Sequence, residues 1–352
     1  MSISLVIDCG TTNLRVTAIG QAHDVLAVVK ADGGVRHTAI DGHNGRLRAM
    51  LRDSIASVLT QCGVQPEDVS RCVAYGMITS NMGLMELAHV AAPAGARELR
   101  EAMREAVFPD IAPFPIAFIP GVRNFAGAVD MENFGAMDMM RGEETEAVGL
   151  YELLRPQGEA VFILPGSHNK FVRMGADGEI LGCMTSISGE LLDAVTHHTI
   201  LADAVNRSFV DAGAYDGDMA REGAWECAHS GLGRAAFAGR ILNTLGQRSA
   251  GQIQSYLLGA VLALDVQALQ AFLPSKAEKI GQDGMAAGLG AALGVAPDMH
   301  DAVLPQIYVA GKAPVQQAMC DVLDALGFEG AQAVSQEVSA QMGLRGALHI
   351  GF

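Results

Sequence analysis

Two short runs of this chain carry residue types that could handle phosphate. In VIDCGTTNLRV, Asp8 ends an apolar stretch and is followed at once by Gly10, Thr11 and Thr12. In LPGSHNKFVRM, another apolar stretch runs into Gly166, Ser167 and His168. A strand ending in glycine and hydroxyl residues leaves main-chain N–H groups free at a tight turn, where they can hold phosphate oxygens. Asp8 adds a carboxylate suited to Mg2+, largely through water, because magnesium keeps much of its hydration shell. The second run has Leu164 in the place of Asp8, and one metal-side acid is enough. Each turn taken alone also reads as an ordinary hairpin. A third run, IYVAGKAP, is an apolar strand ending in a small-residue turn at Gly311. It would take adenine or ribose against its backbone, or serve as a plain strand-to-helix connection.

The two phosphate-type turns are related to each other. CGTTNLRV and PGSHNKFV share Gly10/Gly166, Thr11/Ser167, Asn13/Asn169 and Val16/Val172 at one offset, near the start of each half of the chain. A weak repeat in that position points to a duplicated fold. The elements that must position the turns follow the same plan. A three-strand meander is expected at residues 3–8, 14–19 and 25–29, and again at 161–164, 171–174 and 180–184. Buried strands are expected at 71–81 and 116–121. Helices are expected at 47–62, closed by Gly63, at 94–108, and over RGEETEAVGLYELL, whose acids favour a helix N-terminus. The second half is expected to hold helices at 190–205, 253–272, 284–293 and 315–326, with strands at 306–311 and 331–334. The tail, 339–351, reads as a closing helix bent or weakened by its glycines. RPQGE reads as a boundary between domains 1–156 and 157–352, with the last helix packing back on the first domain.

Composition narrows the function classes. A chain of 352 residues, half of them hydrophobic, suggests two α/β domains. A net charge of −15 argues against nucleic acid or an anionic membrane as partner. MSISLVID lacks the pattern of a secretory signal. No apolar run reaches the roughly 18 residues of a membrane span. The longest candidate, YLLGAVLALDVQALQAFL, is interrupted by Asp265 and reads as a buried helix. The six cysteines are scattered without a C-x-x-C pair, as expected of reduced thiols in a cytoplasmic protein.

In order, IDCGTTNLR, GMITSN, IPG, MRGEET, LPGSHNKFV and SISGELL resemble the 2-dehydro-3-deoxygalactonokinases, sugar-acid kinases of the actin/hexokinase/Hsp70 superfamily. The resemblance runs from residue 7 to about residue 192. It implies two ribonuclease-H-like α/β domains of the actin-like ATPase fold, with ATP and Mg2+ in an interdomain cleft. It also implies phosphoryl transfer to the 6-hydroxyl of 2-dehydro-3-deoxy-D-galactonate. Gly10, Thr11, Thr12, Gly166, Ser167 and His168 would then form two phosphate motifs, with Gly311 in the adenosine motif and Asp8 on the metal side.

A kinase of this type needs a carboxylate to accept the proton of the attacking hydroxyl. By analogy with the GDQ motif of the related glycerol-kinase group, Glu143 takes that role, with Glu144 as its neighbour and Glu190 of SGELL as the rival. Helix-capping acids are the plainer reading of Glu143. A sugar acid's carboxylate would need Arg15 or Arg141. Asn13, Ser80 and Asn81 suit its hydroxyls, although TSN also reads as a capped turn. Expected partners are a small-molecule sugar acid and, as an open option, a second copy of the chain. The competing readings are another sugar kinase of the same superfamily, a non-transferring actin-like ATPase, and a sugar-acid sensor without chemistry.

Overall fold

The structure, a computed structural model, describes residues 2–273 and 305–352. The helix expected at 284–293 lies outside them. The elements run β1 (Ile3–Cys9), β2 (Asn13–Ile19), β3 (Val25–Asp32), α1 (Arg36–Asp41), α2 (Gly45–Cys62), β4 (Val69–Gly76) and β5 (Val90–Ala91). Next come α3 (Ala96–Ala102), β6 (Arg104–Ala106), β7 (Ile116–Phe118), β8 (Val122–Arg123), β9 (Met139–Met140) and α4 (Glu143–Leu154). They are followed by β10 (Ala160–Leu164), β11 (Asn169–Met174), β12 (Ile180–Ser186), α5 (Ser188–His198), α6 (Gly217–Ser230) and α7 (Leu232–Thr244). The last are α8 (Ala250–Phe272), β13 (Gln306–Val309), α9 (Val315–Ala325), β14 (Gln332–Ala333) and α10 (Gln336–Gly351).

One strand order occurs twice. The first sheet runs β3-β2-β1-β4-β7-β6 and the second β12-β11-β10-β13-β14. In the first, β2 is antiparallel to β1 and β3, while β1, β4 and β7 are parallel. In the second, β10, β13 and β14 are parallel. A meander followed by two parallel crossover strands is the ribonuclease-H-like arrangement, and its duplication is the actin-like ATPase fold. The chain divides into two compact units: Met1–Glu159 with Val172–Cys183 and Glu337–Phe352, and Ala160–Phe171 with Met184–Gln336.

In the first unit, alternation along β1 and β2 turns Ile3, Leu5, Ile7, Leu14 and Val16 onto the buried face of α2. The opposite face carries Val6, Val73 and Tyr75, all nearly inaccessible. Here α10 lies close to β4, since a Cβ on Gly351 would meet Val73 Cγ2 at 2.7 Å. Both faces are therefore covered, as parallel strands require.

The glycines of α10 leave the helix unbroken over Gln336–Gly351. They allow close packing. A Cβ on Gly346 would lie 1.7 Å from Thr145 O, and one on Gly149 of α4 would lie 1.8 Å from Met342 O. The helix expected at 94–108 ends at Ala102, because residues 104–106 pair antiparallel with β7. Sheet pairing there overrides a helical pattern. The helix expected at 190–205 stops at His198, where the Thr199 hydroxyl donates to Val195 O (2.7 Å) and accepts from Leu201 N (3.1 Å).

In the second unit, α8 is long and apolar enough to cross a membrane, but two thirds of its most apolar window is buried. It packs against α5, α6, α7 and α9 as a core helix. As expected, the helix runs through Asp265, which is 1% exposed within it.

Candidate active site

The first turn sits where β1 hands over to β2. Gly10 N–H donates to Asn13 O at 2.9 Å, and Asn13 Nδ2 donates to Thr12 Oγ1 at 3.1 Å. The segment after β3 runs alongside: Gly33 N–H reaches Thr12 O (2.7 Å), Val35 N–H reaches Gly10 O (3.2 Å) and Arg36 N–H reaches Thr11 O (3.0 Å). A Cβ on Gly34 would lie 2.1 Å from Gly10 O, so only glycine allows this approach. The main-chain N–H groups of Thr11 and Thr12 find no acceptor among the described residues.

The second turn repeats the device. Gly166 N–H donates to Asn169 Oδ1 at 2.8 Å, and Glu190 N–H reaches Ser167 O at 3.2 Å. A Cβ on Gly189 would lie 2.3 Å from Gly166 O, as Gly34 faces Gly10 in the first unit. In both turns the glycine N–H is therefore engaged internally. The exposed donors are the N–H groups after it, on Thr11 and Thr12 and on Ser167 and His168.

Beside the first turn, register sets a polar cluster. Asp8 lies opposite Arg15 on β2 and opposite Tyr75 on β4. Arg15 Nη1 is 4.0 Å from Asp8 Oδ2, the acid side chain being a third exposed. Tyr75 is thus placed beside the Asp8 carboxyl by strand register. Burial raises the Asp8 carboxyl above its ordinary range, with Arg15 and then Tyr75 opposing it. Glu146 of α4 faces the same cluster; burial, then Glu143 and Asp8, push its carboxyl well above the usual carboxylate range.

The three acids opening α4 separate in role. Gly142, at φ +117, turns its N–H onto both Glu144 oxygens (2.9 and 2.7 Å). Glu144 is fully buried, and burial with the adjacent Glu143 raises its carboxyl to about 8. Half-buried Glu143 accepts from Arg141 N–H at 3.1 Å through one oxygen, leaving the other oxygen available.

Two expected substrate ligands, Arg141 and Ser80, bond to the loop framework around them. The Arg141 guanidinium donates to Thr79 O and Thr79 Oγ1 (both 2.7 Å) and to Leu87 O (2.9 Å), and meets His89 Nδ1 at 3.3 Å. These bonds tie the guanidinium to residues 79–89. Ser80 is 8% exposed; its hydroxyl donates to Met77 O (2.7 Å) and accepts from Met82 N–H (3.3 Å), capping its own turn. Asn13, Arg15 and Asn81 are exposed.

In the second unit a pocket of about 630 Å3 opens beside the second turn, lined by Ser167, Glu190, Thr196, Phe209, Gln254 and Val315 among others. Glu190 Oε1 is 2.8 Å from His168 Nε2. Gly311 is not part of the lining; the chain reaches the pocket with Pro314 and Val315. Under the turn, Asn169 Nδ2 donates to Asp265 Oδ2 (2.7 Å) and Ser188 Oγ to Asp265 Oδ1 (2.6 Å).

Sequence reasoning missed Tyr75, Glu146 and Asp265. Glu146 was legible as the i+3 partner of Glu143, and Asp265 as the one acid in a long apolar helix. Tyr75 had no signal before the register of β1 and β4 was known.

A sequence model of the 2-keto-3-deoxy-galactonokinase family matches residues 8–311. The chain belongs to this family. A Rhizobium meliloti protein described as a probable 2-dehydro-3-deoxygalactonokinase is 30% identical over 206 residues, which span 56% of this chain and 58% of that relative. The crystal structure of a Sinorhizobium meliloti protein assigned as a 2-dehydro-3-deoxygalactonokinase superposes with a TM-score of 0.72 at 21% identity, covering 99% of both chains. The family match includes both turns, the α4 acids and Gly311.

Proposed function

We propose that this chain transfers the γ-phosphoryl group of ATP to the 6-hydroxyl of 2-dehydro-3-deoxy-D-galactonate. Family membership names the reaction class. The observation that carries the chemistry is the pair of equivalent turns, each presenting two unengaged N–H groups and each braced by a glycine on its carbonyls.

Phosphoryl transfer asks a protein to hold phosphates, neutralise charge and accept one proton. Ser167 and His168 in the second unit, with the adjoining pocket, suit a nucleotide. Thr11 and Thr12 suit phosphate oxygens, and the exposed Asn13, Arg15 and Asn81 suit the sugar acid's hydroxyls and carboxylate.

Among the described residues no group of three or more His, Cys, Asp or Glu could cage a metal. Mg2+ does not need one: it is held by one or two carboxylates, water and substrate phosphates, and the partly exposed Asp8 beside the turn fits that need. When bound, the ion would neutralise charge on the phosphates.

For the proton, Glu144 is tied to Gly142, and Glu190 sits with His168 in the other unit. Glu143 keeps a free oxygen at the start of α4 and is the base in this reading. A panel of 2-keto-3-deoxy acids and neutral sugars, assayed for ATP-dependent ADP release, tests the proposal. Release that is indifferent to any acid would mean a non-transferring ATPase.

A further inference from the structure

The walls of the second unit's pocket are mainly apolar, Leu192, Phe209, Val210, Leu258 and Val315 among them, with polar side chains such as Glu190, Thr196 and Gln254 also on the lining. Such walls suit the faces of a flat heteroaromatic base, and the polar groups on the lining then decide which base is accepted. Gln254 is the carboxamide on this lining. Its Nε2 donates to Val205 O at 2.8 Å and to Ser208 Oγ at 2.9 Å. A main-chain carbonyl can only accept, so the amide nitrogen is fixed on that side. The Ser208 hydroxyl donates in turn to Val205 O at 3.3 Å, which leaves it an acceptor toward Gln254. With both amide hydrogens directed at these partners, the capacity Gln254 retains is that of its carbonyl oxygen, an acceptor.

We infer that Gln254 selects adenine over 6-oxopurines by accepting a hydrogen bond from the base's 6-amino group. This rests on reading the pocket as a nucleotide site. A 6-oxopurine brings an acceptor against an acceptor, and an unsubstituted purine leaves the Gln254 oxygen unpaired. Sites built around one hydrogen bond reject both kinds of analogue.

The test measures binding of ADP, IDP and the diphosphate of 6-unsubstituted purine riboside to the wild-type protein by calorimetry. The same series is repeated on Gln254→Leu after its thermal melting shows a folded chain. The wild-type protein should bind ADP about tenfold or more tightly than either analogue. In Gln254→Leu the gap should close, chiefly through weaker ADP binding. Equal wild-type affinities for the three, a measurement that needs no variant, would overturn the role of Gln254, as would a gap that persists in Gln254→Leu. A wild-type protein that binds none of them would overturn the nucleotide reading itself.

Discussion

Asn169 Nδ2 and Asp265 Oδ2 meet at 2.7 Å beneath the second turn, each residue 1% exposed. Asn169 Oδ1 in turn accepts the Gly166 N–H at 2.8 Å. A buried acid in α8 thereby fixes the shape of a turn that is distant in sequence. Asp265→Ala should destabilise the protein by about 2–4 kcal/mol, because it leaves Asn169 and Ser188 without their acceptor. It should also raise the KM for ATP more than the KM for the sugar acid. Urea unfolding and two-substrate kinetics check both; equal KM changes would reduce Asp265 to a structural role.

Thr145 O leaves only 1.7 Å for any Cβ at Gly346. Gly346→Ala must therefore push α10 from α4, and such overpacking costs about 1–3 kcal/mol or more. An unchanged denaturation midpoint would contradict this packing.

Burial of Glu144 sets a pH dependence. Its carboxyl is raised from 4.5 to about 8, so between those values the folded protein holds a proton that the unfolded chain has released. The stabilising contribution is complete below pH 4.5 and is lost as pH rises through about 8. Glu144→Gln should flatten the decline in melting temperature over that window. An identical decline in the variant would rule Glu144 out as its source.

Glu143→Gln removes the proposed proton acceptor while keeping the helix start. Turnover should fall about 100- to 10,000-fold, the range for one general base, with ADP affinity within about twofold of wild type. Unchanged turnover would transfer the role to Glu190.

The duplicated fold was legible because strands, turns and glycines recur at one offset, and the second copy keeps Gly166 and Asn169 where the first has Gly10 and Asn13. The fate of single side chains was not legible. Nothing local distinguishes Arg141 bound to Thr79 and Leu87 from Arg141 facing a ligand, since the partners lie more than 50 positions away. The same holds for Tyr75, which acquires its role from strand register. Glycines in α10 read as weakness until the helix they touch is known; they are the contact surface itself. Turn glycines read as phosphate donors, yet both glycine N–H groups are held by an asparagine three residues on.

The most direct measurement is the structure of the product formed from ATP and 2-dehydro-3-deoxy-D-galactonate, followed by 31P NMR with carbon-coupled assignment. The account predicts a phosphomonoester on C6 together with stoichiometric ADP, formed only when the acid is present. Inorganic phosphate as the only phosphorus product beside ADP, or a phosphoryl group on another hydroxyl, would contradict it.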